Sequence, residues 1–205
     1  GMKKPAPAAH KRPASAPNEV RIIGGQWKRS ILPVPNHPGL RPTPARVRET
    51  LFNWLGQDLK GLRCLDAFAG TGALGFEAAS RGAAEVVLVE QDGALLSALS
   101  RTKAKLSADT VRVERGDGVA ALRQRGGLRL DVVFLDPPFA DGQNDALVLS
   151  ALAAARAAVG ETGLIYLEAP RVWSADELAQ TGLQVHRQGK AGQVAFHLLR
   201  LLPAQ

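Results

Sequence analysis

Asp136, Pro137, Pro138 and Phe139 stand together where the apolar run Val132-Val133-Phe134-Leu135 ends, and their groups suit one kind of substrate. Two prolines in succession cannot donate to a sheet ladder and lock φ, so they stop a strand and hold the next carbonyls in a stiff, outward-facing arrangement. Asp136 and the Pro137 carbonyl offer acceptors for the two N–H bonds of an exocyclic amine, and Phe139 offers a face on which a planar ring stacks. These residues are the candidate catalytic group. A turn that merely ends a strand has the same composition, and the tetrapeptide alone leaves both readings open.

A second constellation lies upstream. Leu62 to Ala69 reads as a buried strand ending in Asp66-Ala67-Phe68-Ala69, followed by Gly70-Thr71-Gly72-Ala73-Leu74-Gly75 and a helix. Gly70, Gly72 and Gly75 match the G-x-G-x-x-G spacing that lets a backbone pass close to a nucleotide. Glu90, followed by Gln91, ends a second apolar strand, Val86 to Val89, at the distance of about twenty residues where such sites place a carboxylate for ribose hydroxyls. A nicotinamide dinucleotide would use the same glycines, bringing a helix N-terminus to its pyrophosphate. Asp66 ahead of the first glycine suits a cation better, and S-adenosylmethionine carries an ammonium and a sulfonium and no phosphate. Asp117, beside Gly118, follows a third strand over Thr110 to Glu114; it is placed to accept from an adenine amine and equally placed to cap a helix.

Elements that position these groups are legible in the patterning. From Leu62 onward the chain repeats strand, turn and helix. Helices are expected over Ala73–Ser80, Gly93–Leu106, Val119–Arg125, Asp145–Val159 and Ala175–Gln180, and late strands over Gly163–Glu168, Leu183–Gln188 and Gln193–Arg200. Such alternation means a mostly parallel sheet with helices on both faces, and the last two strands, joined by Gly189-Lys190-Ala191-Gly192, are expected to pair antiparallel. In an open sheet of this kind ligands bind at the carboxyl ends of the strands, where Asp66, Glu90, Asp117 and Asp136 all fall.

Ahead of this α/β region, residues 19–60 read as an extension: a hairpin around Gly24-Gly25, a proline-rich loop, and a helix capped by Thr43 with Pro44 first and Val47 and Leu51 on its apolar face. Residues 1–18, rich in Pro, Ala and basic residues, read as a disordered tail, and residues 61–205 as the cofactor-binding domain. With 205 residues and a net charge of +7, the chain suits one α/β domain with a nucleic-acid partner. Arg21, Lys28, Arg29, Arg41, Arg46 and Arg48 are the candidate RNA contacts. A single cysteine, Cys64, inside the first apolar strand excludes a disulfide framework, and the histidines lack ligand spacing, so no metal site is expected. No run of residues is long and apolar enough for a membrane span, and a cytoplasmic location is expected.

The Asp66-to-Gly75 loop, Glu90, Asp117 and Asp136-Pro137-Pro138-Phe139, in this order, resemble the class I S-adenosylmethionine-dependent methyltransferases that act on exocyclic amines. Arg21 to Trp27, Leu40-Arg41-Pro42-Thr43, Arg46 to Leu55 and Lys190 to Ala195 narrow the resemblance to the bacterial 16S rRNA guanine-N2 methyltransferases of the small ribosomal subunit. That resemblance implies a Rossmann-like seven-stranded sheet with one antiparallel strand. It also implies S-adenosyl-L-methionine as cofactor, with Phe68, Gln91 and Gly118 joining the cofactor residues above, and a monomer acting on 16S rRNA in the small subunit or a late assembly intermediate. The implied target is the N2 amine of the guanine at position 966. Three readings compete with it. A nicotinamide-dependent oxidoreductase leaves Asp-Pro-Pro-Phe without a role. A DNA adenine-N6 methyltransferase shares the chemical motif but would need a further domain to read base sequence. A non-catalytic RNA-binding or assembly factor would show no methyl incorporation.

Overall fold

The structure, a computed structural model, describes residues 19–138 and 144–204, so the expected tail over 1–18 and Phe139 lie outside the described residues. Short runs rich in β-branched residues and leucine form β3 (Arg63–Asp66), β4 (Glu85–Glu90), β5 (Val111–Arg115), β6 (Leu130–Leu135), β7 (Val159–Ala169), β8 (Leu183–Ala191) and β9 (Val194–Leu201). Their order across the sheet is β5-β4-β3-β6-β7-β9-β8. β3 to β7 pair parallel, while β9 runs antiparallel between β7 and β8. β8 runs through the expected turn to Ala191, so only Gly192 and Gln193 join it to β9; a connection this short cannot make a parallel crossover, and the two strands form a hairpin in which β9 is the reversed strand.

Between the strands run α2 (Ala73–Ser80), α3 (Gly93–Leu106), α4 (Gly118–Arg123), α5 (Asp145–Ala158) and α6 (Ala175–Gln180). Alternate residues of each strand feed opposite faces. Cys64, Val86, Leu88, Val132 and Phe134 pack with Leu74, Phe76 and Leu99 on one side; Leu65, Val87, Val133, Leu135 and Ile165 pack with Leu122, Val148, Leu152 and Leu178 on the other. Asp92 caps α3 by accepting from the Leu95 amide at 2.9 Å, and Ser174 with Glu177 makes a reciprocal capping box on α6.

In the extension, β1 (Glu19–Arg21) pairs antiparallel with β2 (Ile31–Pro33), and α1 (Ala45–Trp54) follows. It has no separate core: Val20, Ile22, Leu32, Val47, Leu51 and Phe52 enter the cluster that holds Phe76 and Phe134, and Trp54 stacks on Phe196 at 5.3 Å. Polar contacts fix its orientation. Buried Glu77 on α2 accepts from the amides of Ile23 at 2.9 Å and Gly24 at 3.0 Å and pairs with Arg48 and Arg81. Gly25, at φ 81°, brings the turn so close to α2 that a Cβ there would lie 2.0 Å from the Ser80 carbonyl oxygen.

Two expectations for this region change. Pro44, not Thr43, is the N-cap of α1, which has no side-chain cap, and the Thr43 hydroxyl instead donates to Glu168 Oε1 at 2.6 Å. Arg48 is buried rather than available to RNA: its guanidinium donates to the carbonyls of Thr43 and Arg21 and pairs with Glu77, leaving no face for a phosphate. No helix of the described residues is long and apolar enough to cross a membrane.

Candidate active site

A cavity of about 340 Å³ opens at the carboxyl edge of β3, β4 and β6. Its walls are Asp66, Phe68, Gly70 and Thr71 after β3, Glu90, Gln91 and Asp92 after β4, and Asp136 and Pro138 after β6. Gly116 and Gly118 contribute from the turn after β5. Residues 37–43 close the remaining side, so the proline-rich loop is a cavity wall as well as a connector, and Arg41 stands on that wall. The loop is tied down where His37 Nε2 meets Asp92 Oδ2 at 3.0 Å. That contact raises the proton affinity of His37, whereas the Leu95 amide first and then His37 lower that of Asp92.

Asp66 sits at the floor of the cavity. Its Oδ2 accepts from the Gly75 amide at 3.2 Å, and its buried Oδ1 has no partner. Burial pushes its pKa up to about 7, against the Gly75 amide bond, and Glu90 and Glu168 add to the rise. A buried carboxylate oxygen left open in this way calls for a donor, and a cationic one satisfies it best. Glu90 buckles the glycine turn to β4, accepting from Gly70 N at 3.0 Å and from the amides of Gln91 and Asp92 at 2.9 Å each.

The three glycines divide the work. Gly70 lines the cavity, whereas Gly72 and Gly75 shape the turn behind it. Gly72 holds φ 82°, and a Cβ on Gly75 would lie 2.1 Å from Leu88 Cδ2, so only glycine lets α2 pack this close to β4. Asp117 takes the capping role: its Oδ2 accepts from Ala120 N at 2.9 Å, and the glycines on either side of it face the cavity instead.

At the end of β6 the Asp136 carboxyl meets a group that the sequence reading passed over. The parallel register of Leu135 on Leu167 sets it beside Glu168, and burial, then the charges of Glu168 and Asp66, raise the proton affinity of Asp136 well above that of an ordinary carboxylate. Glu168, near the end of β7, is buried and accepts from Thr43 Oγ1 at 2.6 Å and Tyr166 OH at 2.7 Å. Its signal in the sequence was the one that marked Asp66 and Glu90, an acid closing an apolar strand, here Leu164-Ile165-Tyr166-Leu167-Glu168. The turn after Asp136 is held by Asn144, whose Nδ2 donates to Pro137 O at 3.4 Å and Pro138 O at 3.3 Å. Of the basic residues in the extension, Arg21, Lys28, Arg29, Arg41 and Arg46 are exposed.

A parallel sheet with one reversed strand and acids converging on its carboxyl edge defines the class I methyltransferase fold. The family described as Conserved hypothetical protein 95 matches residues 20–200. Ribosomal RNA small subunit methyltransferase D of Escherichia coli K12 is 42% identical over 184 residues, 90% of this chain and 91% of that protein. Its counterpart in Haemophilus influenzae is 46% identical over 128 residues, 61% of this chain and 66% of that one. Among solved structures, the Escherichia coli protein yhhF superposes with TM-score 0.76 at 37% identity, covering 90% of this chain and 98% of that one. A T. thermophilus 16S rRNA N2 methyltransferase solved with AdoMet and guanosine shares the fold, with TM-score 0.66 at 24% identity over 90% of this chain and 50% of that one. The chain belongs to the ribosomal RNA small subunit methyltransferase D family.

Proposed function

We propose that this protein methylates the exocyclic N2 amine of a guanine in 16S rRNA, at position 966, using S-adenosyl-L-methionine, within the small subunit or a late assembly intermediate. The observation that carries the reading is that Asp136 and Asp66, one of whose oxygens has no partner, line one cavity, an acceptor for an amine beside an acceptor for a cation. Relatives that span nine-tenths of the chain bear the name of small-subunit rRNA methyltransferases.

The residues present fit the cofactor. Asp66 would hold its ammonium, Glu90 its ribose hydroxyls, and Phe68, Gln91, Gly70 and Gly118 would surround the remainder. S-adenosylmethionine, when bound, supplies an activated methyl group on a sulfonium. A dinucleotide fits less well, because the uncompensated carboxylate under the glycine turn would repel a pyrophosphate. Asp136 and the Pro137 carbonyl orient the amine, whose lone pair is delocalised into the ring, so positioning supplies much of the rate. Phe139, next in sequence, is assigned to stack on the base, which must be splayed out to enter. Arg21, Lys28, Arg29, Arg41 and Arg46 are assigned to phosphates, with Arg41 at the mouth of the cavity.

Transfer of labelled methyl to small subunits from cells that lack the activity, followed by mapping of the modified base, tests this. Label in guanine N2 at the expected position supports the reading. Label in an adenine amine would move the specificity to N6, and absence of label would overturn it.

A further inference from the structure

Glu168 is out of place as a structural residue. It is 7% exposed, no ion pair among the described residues reaches it, and burial works against its charge. What holds its charge is a pair of hydroxyl donors on one oxygen, Thr43 Oγ1 at 2.6 Å from the loop before α1 and Tyr166 OH at 2.7 Å from the same face of β7. We propose that Glu168 is a positioning residue for methyl transfer: its buried carboxylate, fixed by Thr43 and Tyr166, lies against Asp136 and makes Asp136 the acceptor of the proton that the methylated amine sheds.

The inference rests on the amine-methylating reading above. The parallel register that pairs Leu135 with Leu167 sets Asp136 beside Glu168, and two adjacent buried carboxyls do not both ionise. The two hydroxyl donors stabilise the charge on Glu168, which leaves the shared proton to Asp136. Once it has been lost, Asp136 faces the cavity as a much stronger base than an isolated aspartate. The amine nitrogen bonds to the methyl carbon as the carbon–sulfur bond breaks, with the electron pair left on sulfur. The surplus proton on nitrogen passes to Asp136 and from there to solvent after product leaves. The titratable groups facing Asp136 are Asp66 from β3 and Glu168 and Tyr166 from β7; Asp66 and Glu168 oppose its ionisation, while Tyr166, whose own proton affinity is raised, stays neutral.

The test is the pH dependence of single-turnover methyl transfer in Glu168→Gln and Glu168→Asp, with the Asp136 carboxyl titrated in parallel by nuclear magnetic resonance of aspartate-labelled protein. Removing the neighbouring charge in Glu168→Gln should move the acidic limb and the Asp136 titration down by about 1–2 pH units. The plateau rate should fall about 10-fold, because the base is weaker. Glu168→Asp, which keeps the charge, should hold both near the wild-type position. A limb that stays in place or rises in Glu168→Gln, equal shifts in both variants, or loss of cofactor binding in both would make Glu168 a structural carboxylate and overturn the inference. Wild-type protein that methylates no RNA would sink the amine reading instead, while the titration would still decide the pairing.

Discussion

At the scale of single residues, the site is a set of carboxylates with different tasks set by their surroundings. Asp136 is assigned to the substrate amine and not to the cofactor. Asp136→Ala should therefore lower methyl transfer by roughly 30- to 1000-fold, the cost of about 2–4 kcal/mol for a lost charged acceptor, with cofactor affinity within a few fold by calorimetry. Asp66 makes the opposite case. Its folded pKa of about 7 lies above the ordinary aspartate value of 3.8, so the folded protein binds more protons than the unfolded chain between those values. Stability attributable to Asp66 is then full below that window and is lost as pH rises through it, by up to about 4 kcal/mol. Asp66→Asn should raise the melting temperature of the cofactor-free protein at pH near 8, leave it nearly unchanged near pH 4, and weaken cofactor binding about 10-fold. A melting temperature that falls at both pH values would mean that the carboxylate is needed for the fold itself.

At the scale of elements, the sheet edge and the extension are joined by buried polar contacts. Glu77 on α2 binds the hairpin amides while Arg48 on α1 neutralises it. Arg81 still pairs with Glu77 at 2.9 Å when Arg48 is removed, so the loss falls on the Thr43 and Arg21 carbonyls that Arg48 serves, and Arg48→Ala should destabilise the protein by about 1–3 kcal/mol, read in urea unfolding. The loss should appear as faster hydrogen exchange in the hairpin amides of Ile23 and Gly24 before the sheet opens. An Arg48→Ala variant with wild-type stability and weakened RNA binding would return Arg48 to the surface role that its sequence context suggested.

For the whole molecule, the net charge of +7 and the exposed basic residues of the extension are the features proposed to steer the encounter with RNA. Replacing Arg21, Lys28 and Arg29 together by Ala should weaken small-subunit binding and lower the slope of log affinity against log salt by about 0.7–0.9 per residue. Cofactor affinity should be unchanged, since these side chains lie away from the cavity walls. An unaltered salt slope with full methylation would place the RNA on another face.

The strands, the glycine turn and the convergence of Asp66, Glu90 and Asp136 on one edge were legible in the sequence. Apolar runs and turn residues are local, and a parallel sheet sends every strand end to the same side. Glu168 followed the same rule but lacked a motif beside it, and Asp117 obeyed both a capping and a binding pattern, of which the cap is formed through one of its oxygens. Tertiary structure alone decided the rest. Thr43 leaves its helix cap for Glu168 across 125 residues of chain, Arg48 turns inward to Glu77, and residues 37–43 fold back over the cavity at the sheet edge. Periodicity reports which face of an element is apolar, whereas these contacts depend on which buried charge lies nearest once the elements have packed.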